Sequence, residues 1–265
     1  MKGLKNLKKY RRFFAFGCSM TDYWWPTWAD IFCKEIPESY NFGKSGAGNL
    51  YISLQIAEAN ARYKFNEHDL VMVMWSSIAR EDRYFNRAWE TPGNIYSQDI
   101  YNQEFVKKYA DLRGYLIRDL GLISLADNML KLSGCSYEML NMSPFVEEPP
   151  RYLAFKTSDA NAELRDVLEL YSATVEKIRP DFLTTACNGK WPVVQIYHND
   201  NQKTDYHPTP NTHLEYIKKI FPKIELSVET IYWMMEHEQK VQNAKTINEL
   251  KPEDWKPPFR RLNIL

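Results

Sequence analysis

The chain has 265 residues, with 34 basic and 34 acidic side chains and a formal net charge of zero. That length suits one large domain with a full core, and the balanced charge argues against a nucleic-acid binder, which carries a basic excess. Four cysteines, Cys18, Cys33, Cys135 and Cys187, are scattered with no CxxC pair, so free thiols are expected rather than a zinc knuckle or a thioredoxin-like centre.

The first residues, MKGLKNLKKYRRFFAFGC, imitate a signal peptide, but the apolar run is only Phe13 to Phe16. A signal sequence needs an apolar run of roughly 7–15 residues, and no window approaches a transmembrane helix. The expectation is a cytoplasmic protein with no membrane or nucleic-acid partner.

In chain order, a first strand is predicted at about Arg12 to Phe16. A helix follows near Pro26, with Trp28, Ile31, Phe32 and Ile36 on one side. A short strand at Tyr40 to Phe42 runs into GKSGAGN, and NLYISLQIAEANARY reads as a helix. DLVMVMW, residues 69 to 75, is a continuous apolar strand of the kind found in parallel sheets covered on both faces. Residues 78 to 104 are polar, aromatic and irregular, and read as a lid-like loop. A helix from about Glu104 to Leu132, bent or broken near Gly114 or Gly121, leads to a strand at 135 to 142. Further expectations are a helix at 162 to 178, a short strand at 192 to 197 and a helix from Asn211 to Phe221. A C-terminal helical extension occupies about 222 to 265, its last residues, from Lys251, extended and rich in Pro. Alternating strands and helices without a linker indicate one α/β domain over residues 1 to 265.

In open parallel sheets, active sites form at the carboxyl ends of strands. Three such ends carry chemistry: GCSMTD after the first strand, GKSGAGN after the second and WSSIAREDR after the third. A fourth stretch, TDYHPTPNTH, lies near the end of the sheet region. A serine hydroxyl needs an adjacent base to become a good nucleophile. Imidazole titrates in the right range, and an acceptor beside it fixes its tautomer. Asp205 and His207 supply both from one short loop, and glycines 46 and 48 allow close backbone approach to a developing oxyanion.

The ordered stretches resemble the SGNH, or GDSL-like, hydrolase family over about residues 11 to 217. Gly17-Cys18-Ser19 is similar to that family's first block, NFGKSGAGN to its second, and DYHP to its last. The resemblance implies a three-layer α/β/α sandwich with a mainly parallel sheet, flavodoxin-like, and serine-dependent hydrolysis of a small-molecule or carbohydrate ester without cofactor or metal. It implies Ser19 as nucleophile, His207 as base and Asp205 as orienter. The oxyanion donors it implies are the amides of Ser19 and Gly46. The third block departs from the family pattern. Trp75-Ser76-Ser77-Ile78 stands where the family has an asparagine, and Ser77, Ser76 or Asn49 is left as the substitute donor.

Other readings stay open at this point. Cys18 is a rival thiol nucleophile and Asp200 a rival orienter. His198, Asp200, Asp205, His207 and His213 together have the donor types of a metal site. Arg80 is a candidate for an anionic or sugar substrate, and Trp24 and Trp25 for an acyl or sugar contact. The 8 Trp, 17 Tyr and 13 Phe fit an aromatic core or sugar-stacking platforms equally. The missing asparagine also admits a weak or inactive protein that binds glycan or a protein partner.

Overall fold

The computed structural model describes residues 4–96, 101–146, 160–198 and 203–256. In chain order the elements are β1 (Arg12–Gly17), α1 (Trp28–Glu35), β2 (Glu38–Gly43), α2 (Asn49–Tyr63), β3 (Asp69–Trp75), β4 (Arg80–Phe85) and β5 (Ala88–Asn94). Then come α3 (Gln103–Tyr109), α4 (Leu112–Ser133), β6 (Ser136–Asn141), α5 (Ala160–Leu170), α6 (Ser172–Val175) and α7 (Phe182–Cys187). The chain continues through β7 (Val194–Gln195), β8 (Thr204–Asp205), α8 (Pro210–Ile220) and α9 (Val228–Asn243).

The main sheet has the order β2-β1-β3-β6 and every pairing in it is parallel. Phe13, Phe14, Ala15 and Phe16 of β1 and all of β3 are buried, as in a parallel sheet flanked by helices. Helices α1, α7, α8 and α9 pack with one another, and α2, α4, α5 and α6 form a second group. β1 turns toward β2 on one side and β3 on the other. The chain therefore reverses its winding at the carboxyl ends of β1 and β3, which is where open sheets of this type leave a crevice.

The sheet strands and first two helices match the sequence pattern closely. α1 starts after Thr27, whose hydroxyl accepts from Ala29 N, while Asp30 accepts from Thr27 N at 2.8 Å in a capping box. The segment expected as an irregular lid is instead the antiparallel hairpin β4–β5, followed by α3. From the hairpin, Asp82 accepts from Gly48 N and Tyr51 N, each at 2.8 Å, and so caps α2 from a distance. The helix expected at 104 to 132 breaks at Ala110 and Asp111, not at Gly114 or Gly121. Asp111 caps α4 through Gly114 N at 2.6 Å. The strand expected at 192 to 197 shrinks to β7, which pairs with β8 outside the main sheet. Among the described residues, no helix is long and apolar enough to cross a membrane.

Candidate active site

The turn after β1 presents Ser19. Gly17 ends the strand because Thr21 folds back against it: a Cβ on Gly17 would lie 2.0 Å from Thr21 Oγ1. Thr21 N and Asp22 N both donate to Cys18 O, closing the turn. Cys18 itself is fully buried, with Sγ against Met142 Sδ at 3.8 Å, so its thiol faces the core.

Ser19 Oγ lies 2.9 Å from His207 Nε2. His207 Nδ1 lies 2.8 Å from Asp205 Oδ1, and the His207 backbone N–H donates to the same oxygen at 2.7 Å. Burial pushes the Asp205 carboxyl up, but the hydrogen bonds and charge of His207, with the Tyr23 hydroxyl, outweigh it and hold the group down at about 2. Asp205 is therefore ionised at neutral pH and can only accept. His207 must carry its proton on Nδ1, which leaves Nε2 to accept from the Ser19 hydroxyl.

Two further side chains meet Asp205, and sequence reasoning gave neither of them this place. His198 Nε2 lies 2.8 Å from Oδ2, and the Tyr23 hydroxyl donates to the same oxygen. The Tyr23 ring also stacks on the His207 ring, centroids 3.7 Å apart and planes 20° off parallel. Burial and the Asp205 charge both push the Tyr23 phenol well up, so it stays a donor. The one sequence signal for Tyr23 was its position four residues after Ser19.

Gly46 occupies the loop between β2 and α2 with φ of +74°, and a Cβ there would lie 1.9 Å from the Thr91 carbonyl oxygen of β5. Asn49, a candidate oxyanion donor from sequence, is committed elsewhere. Its Nδ2 donates to Ser76 O at 3.1 Å and Asp119 Oδ2 at 2.8 Å, and its Oδ1 accepts from Ser76 N at 2.8 Å. Both amide hydrogens are used, so Asn49 ties α2 to the end of β3 and to α4. Ser76 is fully buried with Oγ against Met142 Sδ at 3.5 Å. Ser77 is half-buried, and its Oγ accepts from Arg80 Nε at 3.3 Å, which leaves its own hydrogen to donate. Arg80 also donates to Ala47 O at 3.0 Å, so its guanidinium braces the loop after Gly46.

Trp25 is core rather than a substrate contact: it is buried against Ile196, Val241, Ile247 and Leu250. Trp24 is exposed. His213 is buried behind the site, beside Phe182, and burial drives its imidazole down to about 3. His198 and His207 sit on opposite oxygens of Asp205, Asp200 lies outside the described residues, and among the described residues no group of three or more His, Cys, Asp or Glu is arranged to hold a metal ion.

This chain is similar to solved structures of GDSL-type lipolytic proteins and of an acetylxylan esterase. A GDSL-like lipase from Bacteroides thetaiotaomicron is 17% identical, with 82% of this chain and 88% of that one covered and a TM-score of 0.44. A member of the lipolytic G-D-S-L family from Veillonella parvula is 14% identical, with 80% and 98% covered and a TM-score of 0.42. A catalytic mutant of an acetylxylan esterase from Geobacillus stearothermophilus is 14% identical, with 86% and 100% covered and a TM-score of 0.43. No protein-family model matches the sequence, and no curated protein does.

Proposed function

We propose that the protein is an SGNH-type serine hydrolase of carboxylic esters that works through an acyl-enzyme. The reading includes the three-layer flavodoxin-like arrangement of that family. The observation that carries it is the hydrogen-bonded line from Ser19 Oγ through His207 to Asp205, at 2.9 and 2.8 Å. Ser19 Oγ attacks the acyl carbonyl while His207 Nε2 takes the hydroxyl proton. The tetrahedral intermediate collapses, His207 gives that proton to the departing alcohol oxygen, and the acyl group stays on Ser19. Water then attacks the acyl-enzyme by the same proton route in reverse, releasing the acid. Asp205 stabilises the imidazolium formed in each half.

The Ser19 and Gly46 amides are the proposed oxyanion donors, with the Ser77 hydroxyl as the third. Small acyl esters, O-acetyl groups on carbohydrate among them, are the substrates to try first, with Arg80 and Trp24 as candidate substrate contacts. The test is a p-nitrophenyl acetate panel with Ser19→Ala and His207→Gln. Each substitution is expected to lower kcat by a factor on the order of 1000 or more, and retained activity in Ser19→Ala would sink the reading.

A second reading is favoured by the block Trp75-Ser76-Ser77-Ile78, which lacks the asparagine donor, together with the commitment of Asn49 elsewhere. Loss of one oxyanion donor costs about 100- to 1000-fold in rate. A protein so weakened would bind glycan or a partner without turnover. Covalent labelling of Ser19 by a fluorophosphonate separates the two, since only an activated serine reacts.

A further inference from the structure

Arg12, Arg113, Arg118 and Arg179 are half-buried, and each meets a carboxylate: Asp69, Asp166, Asp119 and Glu138 in turn. Arg80 is half-buried too, yet among the described residues its guanidinium has only neutral hydrogen-bond partners. Nη1 donates to Ala47 O at 3.0 Å, Nε to Ser77 Oγ at 3.3 Å, and Nη2 meets Met142 Sδ at 3.7 Å. A thioether is a weak acceptor. Asp82 is in electrostatic reach, but its two oxygens accept from Gly48 N and Tyr51 N. Lys44, on the same rim through its backbone N–H to Gly17 O, turns its Nζ to the Trp89 carbonyl. A half-buried cation with neutral partners gives up hydration without gaining a counter-charge. The N–H groups that Arg80 has left suit a carboxylate, which a guanidinium binds more strongly than any neutral acceptor.

The three groups that hold Arg80 belong to the site. Ala47 follows Gly46, Ser77 is the proposed third oxyanion donor, and Met142 Sδ also touches Cys18 Sγ at 3.8 Å, one residue before Ser19. Arg80 itself opens β4, just past the carboxyl end of β3. Resting on the reading of Ser19, His207 and Asp205 as nucleophile, base and orienter, we propose that the ester this site takes carries a carboxylate close to its scissile carbonyl, and that Arg80 binds that carboxylate and sets the preference for it. An ester whose carbonyl oxygen faces Ser77 Oγ has the Arg80 guanidinium beside it, because Nε is bonded to that same hydroxyl oxygen. A carboxylate a few bonds from the carbonyl then supplies the counter-charge that the protein withholds. The carboxylate can stand on the acyl part or on the alcohol part of the ester, and the chemistry of its recognition is the same in both.

The test uses two pairs of esters, each pair differing in charge alone, on the full chain. Mono-p-nitrophenyl succinate against methyl p-nitrophenyl succinate puts the charge on the acyl part. The pair m-acetoxybenzoate and methyl m-acetoxybenzoate puts it on the alcohol part. In at least one pair, wild type is expected to favour the anion by about 10- to 100-fold in kcat/KM. Arg80→Gln is expected to lower that anion-to-neutral ratio by about the same factor, and Arg80→Lys to regain part of it. The ratio is the readout because losing the brace on Ala47 and Ser77, or a guanidinium that acts only as an oxyanion donor, lowers both members of a pair alike. A ratio that Arg80→Gln leaves unchanged in both pairs overturns the proposal. If Arg80→Gln does not fold, the wild-type ratio decides, and no preference for the anion in either pair overturns it. If wild type hydrolyses neither pair, the reading of Ser19 as nucleophile fails, and calorimetric titration of the same esters decides instead. Binding of an anionic member tighter by about tenfold or more then supports the proposal, and equal binding within both pairs overturns it. Hydrolysis persisting in Ser19→Ala removes the nucleophile reading alone, since the wild-type ratios still judge Arg80.

Discussion

Trp25 Nε1 donates to the carbonyl oxygen of Pro208 at 2.7 Å, joining the turn that carries Ser19 to the loop that carries His207 across 183 residues of chain. Both groups are buried, so the bond is made where losing it leaves an unsatisfied carbonyl. With the Tyr23 hydroxyl on Asp205 and the Tyr23 ring on His207, this tie joins the two segments that carry Ser19 and His207, which no regular element holds together.

Trp25→Phe keeps most of the packing and removes the donor. It is expected to cost about 1–3 kcal/mol of stability, measured by urea unfolding. It is also expected to lower kcat for an ester more than it raises KM. Unchanged kcat in a folded variant would show that the tie does not position the base.

Ser77 and Asn49 separate by the kind of damage each substitution does. Ser77→Ala is expected to lower kcat by about 10- to 100-fold with stability within about 0.5 kcal/mol of wild type, as for an oxyanion donor on a half-buried surface. Asn49→Ala breaks three buried hydrogen bonds to Ser76 and Asp119, and is expected to cost about 2–4 kcal/mol. Equal loss of stability in both variants would mean Ser77 is structural too.

Gly46→Ala combines a left-handed φ with a Cβ driven onto the Thr91 carbonyl. The hairpin must shift away from the loop, at a cost of about 2 kcal/mol or more. A thermal melt should show a clearly lowered Tm, and activity in any folded fraction should fall because the loop's amides move. A Tm equal to wild type would mean the loop is softer than its packing implies.

Two buried carboxyls give stability opposite pH dependences. Asp205 is held down at about 2, so its contribution is complete above the ordinary carboxylate pKa and is lost as pH falls from about 4 toward 2. Asp30 is pushed up to about 7 by burial, and its Oδ1 has no hydrogen-bond partner. Its folded form holds a proton that the unfolded chain gives up near pH 4, so stability falls as pH rises from about 4 through 7. Buried His213, held down at about 3, works against Asp30 over the same range, so the Asp30 contribution is read from the difference between Asp30→Asn and wild type in urea unfolding. Asp30→Asn should flatten the neutral side and exceed wild type at pH 8 by about 1 kcal/mol or more. A stability difference between Asp30→Asn and wild type that stays constant from pH 5 to 8 would contradict this.

Much of the fold is legible in the residues themselves. DLVMVMW reads as a fully buried strand, and the run from Asn49 to Tyr63 has helical spacing that begins after a glycine. These are local signals, written in side-chain size and period. The position of Ser19 after β1 follows from the same local pattern, because a strand running into a polar turn marks a carboxyl end. Local pattern failed at residues 80 to 94. A charged, aromatic segment without alternation is a hairpin whose Asp82 accepts from the open N–H groups at the start of α2, and nothing within the segment records that partner.

The sequence by itself determined which residue types stood at which strand ends, since chain order and period suffice for that. Tertiary structure decided which of them meet. It drew Asn49 and Trp25 into the framework, turned Cys18 inward, and set His198 and Tyr23 on the free oxygen of Asp205. The physical reason is that a buried polar atom takes whichever partner the packed chain brings within about 3 Å, and that partner is fixed by long-range packing, which no local spacing encodes.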